Sequence, residues 1–204
     1  MKLRHIAHAL LLLSLAATVP AQESVFNQRI KKFKNSELFI IKYDKAKDYT
    51  GIAVGPFAVS TKGEAFLAGT GMSFIAGFEF KGLEMKDGAE RFYIRFVASS
   101  NSWRFLENRD LSALIDGERL ALGTTEHLGK AGTRVGGLMG GLGSGNSYVI
   151  EQLIYILTPE VLSKLANGKS VDMQVGAYEL KLKKEQQQAL RDLLSLAEPP
   201  TEKK

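Results

Sequence analysis

The sequence predicts an α+β fold: an antiparallel β-sheet or sandwich of about eight to ten strands with a C-terminal helix–hairpin–helix layer. Three observations predict it. From Arg91 to Ala98 the chain alternates, with Phe92, Ile94 and Phe96 on one face and Arg91, Tyr93 and Arg95 on the other. That is the period of a half-buried antiparallel strand. Asp116-Gly117 stands between Leu114-Ile115 and the apolar Leu120 and Leu122. Asp and Gly both tolerate positive φ, so the pair signals a hairpin. Beyond Thr158 the pattern turns to helix, hairpin and helix.

The N-terminus has the three parts of an export signal. Lys2 and Arg4 give a positive start, an apolar stretch runs from Ile6 to Val19, and Val19-Pro20-Ala21 ends it with small residues. The stretch is shorter than the roughly 20 apolar residues of a spanning helix and stops at a proline. Cleavage is expected after Ala21. The chain then divides into a signal peptide over residues 1–21, a single α+β globular domain over 22–197 and a charged tail over 198–204. The mature protein is expected to be exported, periplasmic or secreted. No transmembrane segment is expected after signal removal, because the most apolar later run, Tyr148 to Leu157, is interrupted by Glu151 and Gln152.

The chain has no cysteine. Disulfides, thiolate nucleophiles, cysteine metal sites and an N-terminal lipid on cysteine are excluded. The fold must rest on a hydrophobic core, and a domain of this size buries roughly 70% of its unfolded surface. Loss of Lys2 and Arg4 lowers the formal charge of +5 by two, to +3. That small excess, in an exported domain, argues against a nucleic-acid partner.

Along the mature chain, Phe26, Ile30 and Phe33 share one helical face among Arg29, Lys31, Lys32 and Lys34. A packed terminal helix is the favoured reading, and peripheral membrane contact the other. Strands are expected over Leu38–Tyr43, Ile52–Ser60 with an interruption at Pro56, Ala65–Phe80 and Arg91–Ala98. Every phenylalanine lies at or before Phe105, so the first part holds the aromatic core. Gly129 to Asn146 carries eight glycines around Val135, Leu138, Met139 and Leu142. It is expected to be a mobile loop between strands. Tyr148 to Leu157 is apolar on both faces and reads as a central strand covered on both sides. Thr158-Pro159-Glu160 caps and starts a helix whose apolar side is Leu162, Leu165 and Ala166, and Asn167-Gly168 ends it. A hairpin across Gly176-Ala177 follows. The last helix, Glu185 to Ala197, carries Leu190, Leu193, Leu194 and Ala197 on one face.

No catalytic or cofactor motif stands out. His127 is the one histidine after the signal, so metal centres built from several imidazoles are excluded within one chain. Gly143-Ser144-Gly145 lacks the spacing of a nucleophile elbow. Gly141-x-Gly143 and Gly168-Lys169-Ser170 fail the dinucleotide and P-loop patterns. Glu151, in the middle of the most apolar strand, needs a partner if buried, and Arg95, Arg104 or Arg119 are the candidates. Trp103, the one tryptophan, follows the polar cluster Ser99-Ser100-Asn101-Ser102 and either anchors the core or stacks on a ligand. The candidate pocket residues are therefore Glu151, Trp103 and His127. Leu138, Met139 and Leu142 are the candidate loop contacts for a ligand or partner. No metal, cofactor or catalytic residue is expected.

Several local patterns recur together. They are Leu114-Ile115-Asp116-Gly117-Glu118-Arg119-Leu120, the strand before Thr158-Pro159-Glu160, Leu165-Ala166-Asn167-Gly168-Lys169-Ser170-Val171, Tyr178-Glu179-Leu180 and the leucine-rich terminal helix. Over residues 90–197 this layout resembles uncharacterised exported bacterial proteins. The resemblance implies a bacterial envelope setting and no particular reaction. The expected function is non-enzymatic binding of an apolar ligand or an envelope protein. A hydrolase using Glu151 or His127 and a structural envelope component are the alternatives.

Overall fold

The computed structural model describes residues 25–33, 36–59, 71–125, 127–134 and 146–199. The residues expected to form a signal peptide, those beyond residue 199, and Leu138, Met139 and Leu142, expected as loop contacts, lie outside the described residues.

The described chain runs α1 (Val25–Lys31), β1 (Phe39–Asp44), β2 (Tyr49–Val59), β3 (Gly71–Lys81), β4 (Arg91–Ser100), β5 (Asp110–Ile115), β6 (Glu118–Thr124), β7 (His127–Arg134), β8 (Asn146–Leu157), α2 (Pro159–Asn167), β9 (Val171–Val175), β10 (Tyr178–Lys181) and α3 (Lys184–Ala197). The strands form two sheets, a six-stranded one in the order β1-β2-β3-β4-β8-β7 and a four-stranded one in the order β10-β9-β5-β6. Every pairing is antiparallel. This is the α+β, sandwich-like architecture that the alternation and turn signals imply.

The inner face of the six-stranded sheet carries a continuous chain of rings. Phe57 meets Phe74 at 5.1 Å between centroids, Phe74 meets Phe96 at 6.0 Å, and Phe96 meets Tyr155 edge-on at 6.0 Å. Helix α1 buries Phe26 edge-on against Phe80 at 5.1 Å, so its apolar face packs on the domain. Arg29 of α1 donates to the carbonyls of Ser195 and Glu198, satisfying groups that the C-terminus of α3 leaves open. A single buried cluster joins these rings to Leu162 and Leu165 of α2, Leu190 and Leu193 of α3, and Leu111 and Val175 of the second sheet.

Local chemistry explains the element ends. The Asp116-Gly117 turn takes φ of 52° and 92°, the double positive φ that its hairpin requires. Thr158 Oγ1 accepts from the N–H of Val161, capping α2. Gly168 ends α2 at φ −58°, outside the left-handed conformation that its place after the helix suggests. Glycine is needed there for space, because a Cβ would stand 2.7 Å from Val171 Cγ2 and 2.8 Å from Ile115 Cγ2.

The expected interruption at Pro56 is a bulge: the register of β2 shifts between Val54 and Phe57, both of these side chains stay in the core, and the strand continues to Val59. Two expectations change. Strand β8 is not a central strand covered on both faces. It lies between β4 and β7, next to the sheet edge. Glu151, Leu153, Tyr155 and Leu157 are buried, whereas Ile156 on the other face is exposed. The apolar residues of that outer face sit beside cross-strand neighbours such as Arg95 and Tyr93, not beneath a second layer. Finally, the glycine-rich segment is not loop throughout. Gly129 to Arg134 belong to β7 and Asn146 opens β8. Two of these glycines are sites of close approach, since a Cβ at Gly132 would stand 2.7 Å from the Tyr148 hydroxyl and one at Gly129 would strike Trp103.

Candidate functional site

Glu151, His127 and Trp103, separate in sequence, meet at one corner of the sandwich. Strand β8 places Glu151 on the inner face of the six-stranded sheet, directly across from Gly129 of β7 and Ala98 of β4. His127 lies two residues before Gly129 and so shares its face. It reaches diagonally to Glu151, with Nε2 2.8 Å from Oε1. Trp103 arrives from the segment between β4 and β5 and lies over Gly129. A Cβ at position 129 would be 2.2 Å from its Cζ3. Its ring meets that of His127 edge-on, with centroids 5.3 Å apart and planes at 68°.

The Glu151 carboxyl is fully enclosed, and two backbone amides and an imidazole bond it. Oε2 accepts from the backbone N–H of Arg104 at 2.8 Å, and Oε1 from that of Phe105 at 3.0 Å. Arg95 projects from the opposite face of β4, and Arg119 donates to Gln174 at 2.8 Å. A buried carboxyl group is tolerated when hydrogen bonds saturate it, and here two amides and an imidazole do so.

The amides belong to the segment that carries the chain from the first sheet to the second. Strand β8 grips this segment twice. Two turns of the pleat after Glu151, Tyr155 donates its hydroxyl to the carbonyl of Arg109 at 2.7 Å. Burial, with a smaller contribution from the charge of Asp110, pushes the Tyr155 hydroxyl pKa far above the usual tyrosine value, so it remains a donor. Between the grips, Phe105 is buried against Tyr178, with ring centroids 5.4 Å apart. Trp103 and Leu106 on the same segment stay exposed, at 38% and 56%.

Chemically, the corner is a clamp with a wet edge. The side chain of Glu151 is 0% exposed and that of His127 12%. The carboxyl group therefore cannot reach a substrate, although it can fix the orientation of the imidazole. Among the described residues, no group of three His, Cys, Asp or Glu side chains converges to hold a metal ion. A surface hollow of about 910 Å³ lies elsewhere, on the outer face of the six-stranded sheet between Ile40, Tyr49, Tyr93 and Arg95.

The structure thus brings Glu151, Trp103 and His127 together and leaves Leu138, Met139 and Leu142 outside the described residues. Strand β7 runs about 17 Å from Gly129 to its end at Arg134, at about 3.3 Å per residue. The glycine-rich connection therefore departs at a distance from the clamp. Sequence reasoning missed Gly129, whose bare Cα makes room for Trp103, and Tyr155, the second grip. The period of β8 does place Tyr155 on the face of Glu151, and that was the available signal. No family model, curated protein or solved structure matches this chain.

Proposed function

We propose that the protein is an exported, non-enzymatic binding domain of the bacterial envelope, with the corner around Trp103 and Leu106 as its contact surface for an apolar ligand or an envelope protein. The observation that carries this reading is the saturation of Glu151. Its two oxygens are engaged by Arg104, Phe105 and His127, which makes the acid–imidazole pair a support for the segment 101–109. That support holds an indole and a leucine side chain toward solvent on a fixed backbone, the arrangement by which an aromatic anchor binds at low entropic cost. The signal-like residues 1–21 and the resemblance to exported bacterial proteins support the envelope setting. The connection over 135–145, with Leu138, Met139 and Leu142, is the second contact element of the proposal.

The test is native mass spectrometry of the protein isolated from its own host. A retained ligand or subunit is expected, and Trp103→Ala with Leu106→Ala should lose it while the fold persists. A bare mass for the wild type would refute the reading. An intact, unprocessed N-terminus on protein recovered from the cytoplasm would refute the envelope setting.

One distance favours a hydrolase as the second reading. The 2.8 Å contact from His127 to Glu151 resembles the way a carboxylate orients a catalytic imidazole. An active-site-directed fluorophosphonate separates the two. The binding reading expects no adduct, whereas an adduct abolished by His127→Ala would establish the hydrolase.

A further inference from the structure

We propose that two copies of this chain pair through strand β1, antiparallel about a twofold axis at Ile41, joining their six-stranded sheets edge to edge. β1 is the terminal strand of its sheet, and among the described residues only β2 pairs with it. Natural sheets blunt such edges with charge, proline or a covering element, because an open edge is a template for another strand. Here Lys42 and Asp44 are the charges on the strand, and the rest of the edge is apolar. Leu38, Ile40 and Ile41 are 43%, 44% and 38% exposed.

The hydrogen-bond phase of β1 defines what it offers. The N–H of Gly55 donates to the carbonyl of Leu38, so Leu38, and by alternation Ile40, Lys42 and Asp44, turn their backbone groups toward β2. Ile41 and Tyr43 therefore turn theirs outward, together with the carbonyl of Phe39. The Phe39 N–H is already bonded to the carbonyl of Ser36 at 3.2 Å.

Only one register uses all of this. With Ile41 opposite Ile41 of the second copy, the two residues exchange both backbone bonds, and each Tyr43 N–H meets the Phe39 carbonyl across the axis. Phe39 and Tyr43 face one another twice, an aromatic cross-strand pair. Just beyond the paired residues, the exposed Glu37 approaches the exposed Lys45 twice, with opposite charge. Moving the axis to Lys42 sets lysine against lysine, and moving it to Ile40 breaks the aromatic and charged pairs. A strand of this length buries less than the roughly 1,200 Å² of a stable complex, so a weak dimer is expected, with Kd on the order of micromolar.

The absence of native cysteine makes cross-linking a clean test. In the proposed register Ile40 lies opposite Lys42 of the other copy as a non-hydrogen-bonded pair, at about 4.5 Å between Cα atoms. That is within disulfide reach, whereas like residues on the two copies stand more than about 7 Å apart and are not. An equimolar mixture of Ile40→Cys and Lys42→Cys chains should therefore oxidise to a covalent dimer at least about tenfold faster than either variant alone. Equal rates would overturn the register. Sedimentation velocity supplies the second arm. The wild type should dimerise with rising concentration, Glu37→Lys should weaken dimerisation, and Glu37→Lys with Lys45→Glu should restore it. A wild type that stays monomeric up to about 1 mM, well above the expected Kd, would overturn the dimer itself, as would failure of the double exchange to rescue.

Discussion

Replacing Glu151 with alanine tests the clamp. The substitution leaves the amides of Arg104 and Phe105 without their acceptor and opens a space where a 0%-exposed side chain stood. An unsatisfied buried donor costs about 1–3 kcal/mol. The Phe105 amide is buried and takes the upper part of that range, while the part-buried Arg104 amide recovers some of its loss from water. We expect a total of about 2–5 kcal/mol, a large share of the roughly 5–15 kcal/mol that stabilises a domain. Glu151→Gln keeps the volume and one carbonyl acceptor but turns an NH₂ group toward the other donors, and should cost about 1–3 kcal/mol. His127→Ala removes the most solvent-accessible partner and should cost least, about 1 kcal/mol. Urea unfolding monitored by circular dichroism measures all three, with a midpoint shift of about 1–2 M for the alanine variant. Amide exchange localises the effect, because the Arg104 and Phe105 amides should lose protection first. A Glu151→Ala variant within about 0.5 kcal/mol of wild type, the range of an ordinary surface change, would refute the reasoning. So would undisturbed exchange at those two amides.

Three further outcomes follow from the same structure. Gly129→Ala should displace the Trp103 ring, which a Cβ would approach to 2.2 Å; tryptophan emission should shift, with a loss of about 1–3 kcal/mol. Gln187→Ala should loosen α3 from α2. The buried Gln187 amide donates to the carbonyls of Gly168 at 2.7 Å and Leu165 at 3.3 Å, and two unmet acceptors should cost about 1–3 kcal/mol in chemical denaturation. Backbone N–H groups of Ser170 and Lys169 hold the Asp116 carboxyl below the usual aspartate value. Its stabilising contribution is therefore present above the unfolded pKa of about 3.9 and disappears as pH falls through the lower folded value. Asp116→Asn should flatten the acid side of the melting-temperature profile below about pH 4 and leave its slope at neutral pH unchanged.

The parts of the fold legible in the sequence are those written by local chemistry. The alternation of Phe92, Ile94 and Phe96 places those rings in the core because successive side chains of a strand face opposite sides. Asp116-Gly117, Thr158-Pro159 and the leucine spacing of α3 work in the same way, each needing only neighbours within a few residues. The same rules mislead where two elements share one signal. Glycines over 129–134 look like loop by composition, yet they pair in register with β8 and Trp103 fills the space above Gly129.

The candidate site divides along the same line. The sequence by itself singled out Glu151, since a carboxyl group inside an apolar strand demands a partner wherever it folds. It also singled out His127 and Trp103, each the sole residue of its kind after residue 21. Only the tertiary structure decided that these three belong to one corner and that the partners of Glu151 are two amides 46 and 47 residues away along the chain. Residue type and spacing carry no record of which distant backbone groups a fold leaves unpaired. That is settled when two sheets close over the segment between them, and the carboxyl group bonds whichever donors the closure brings within reach.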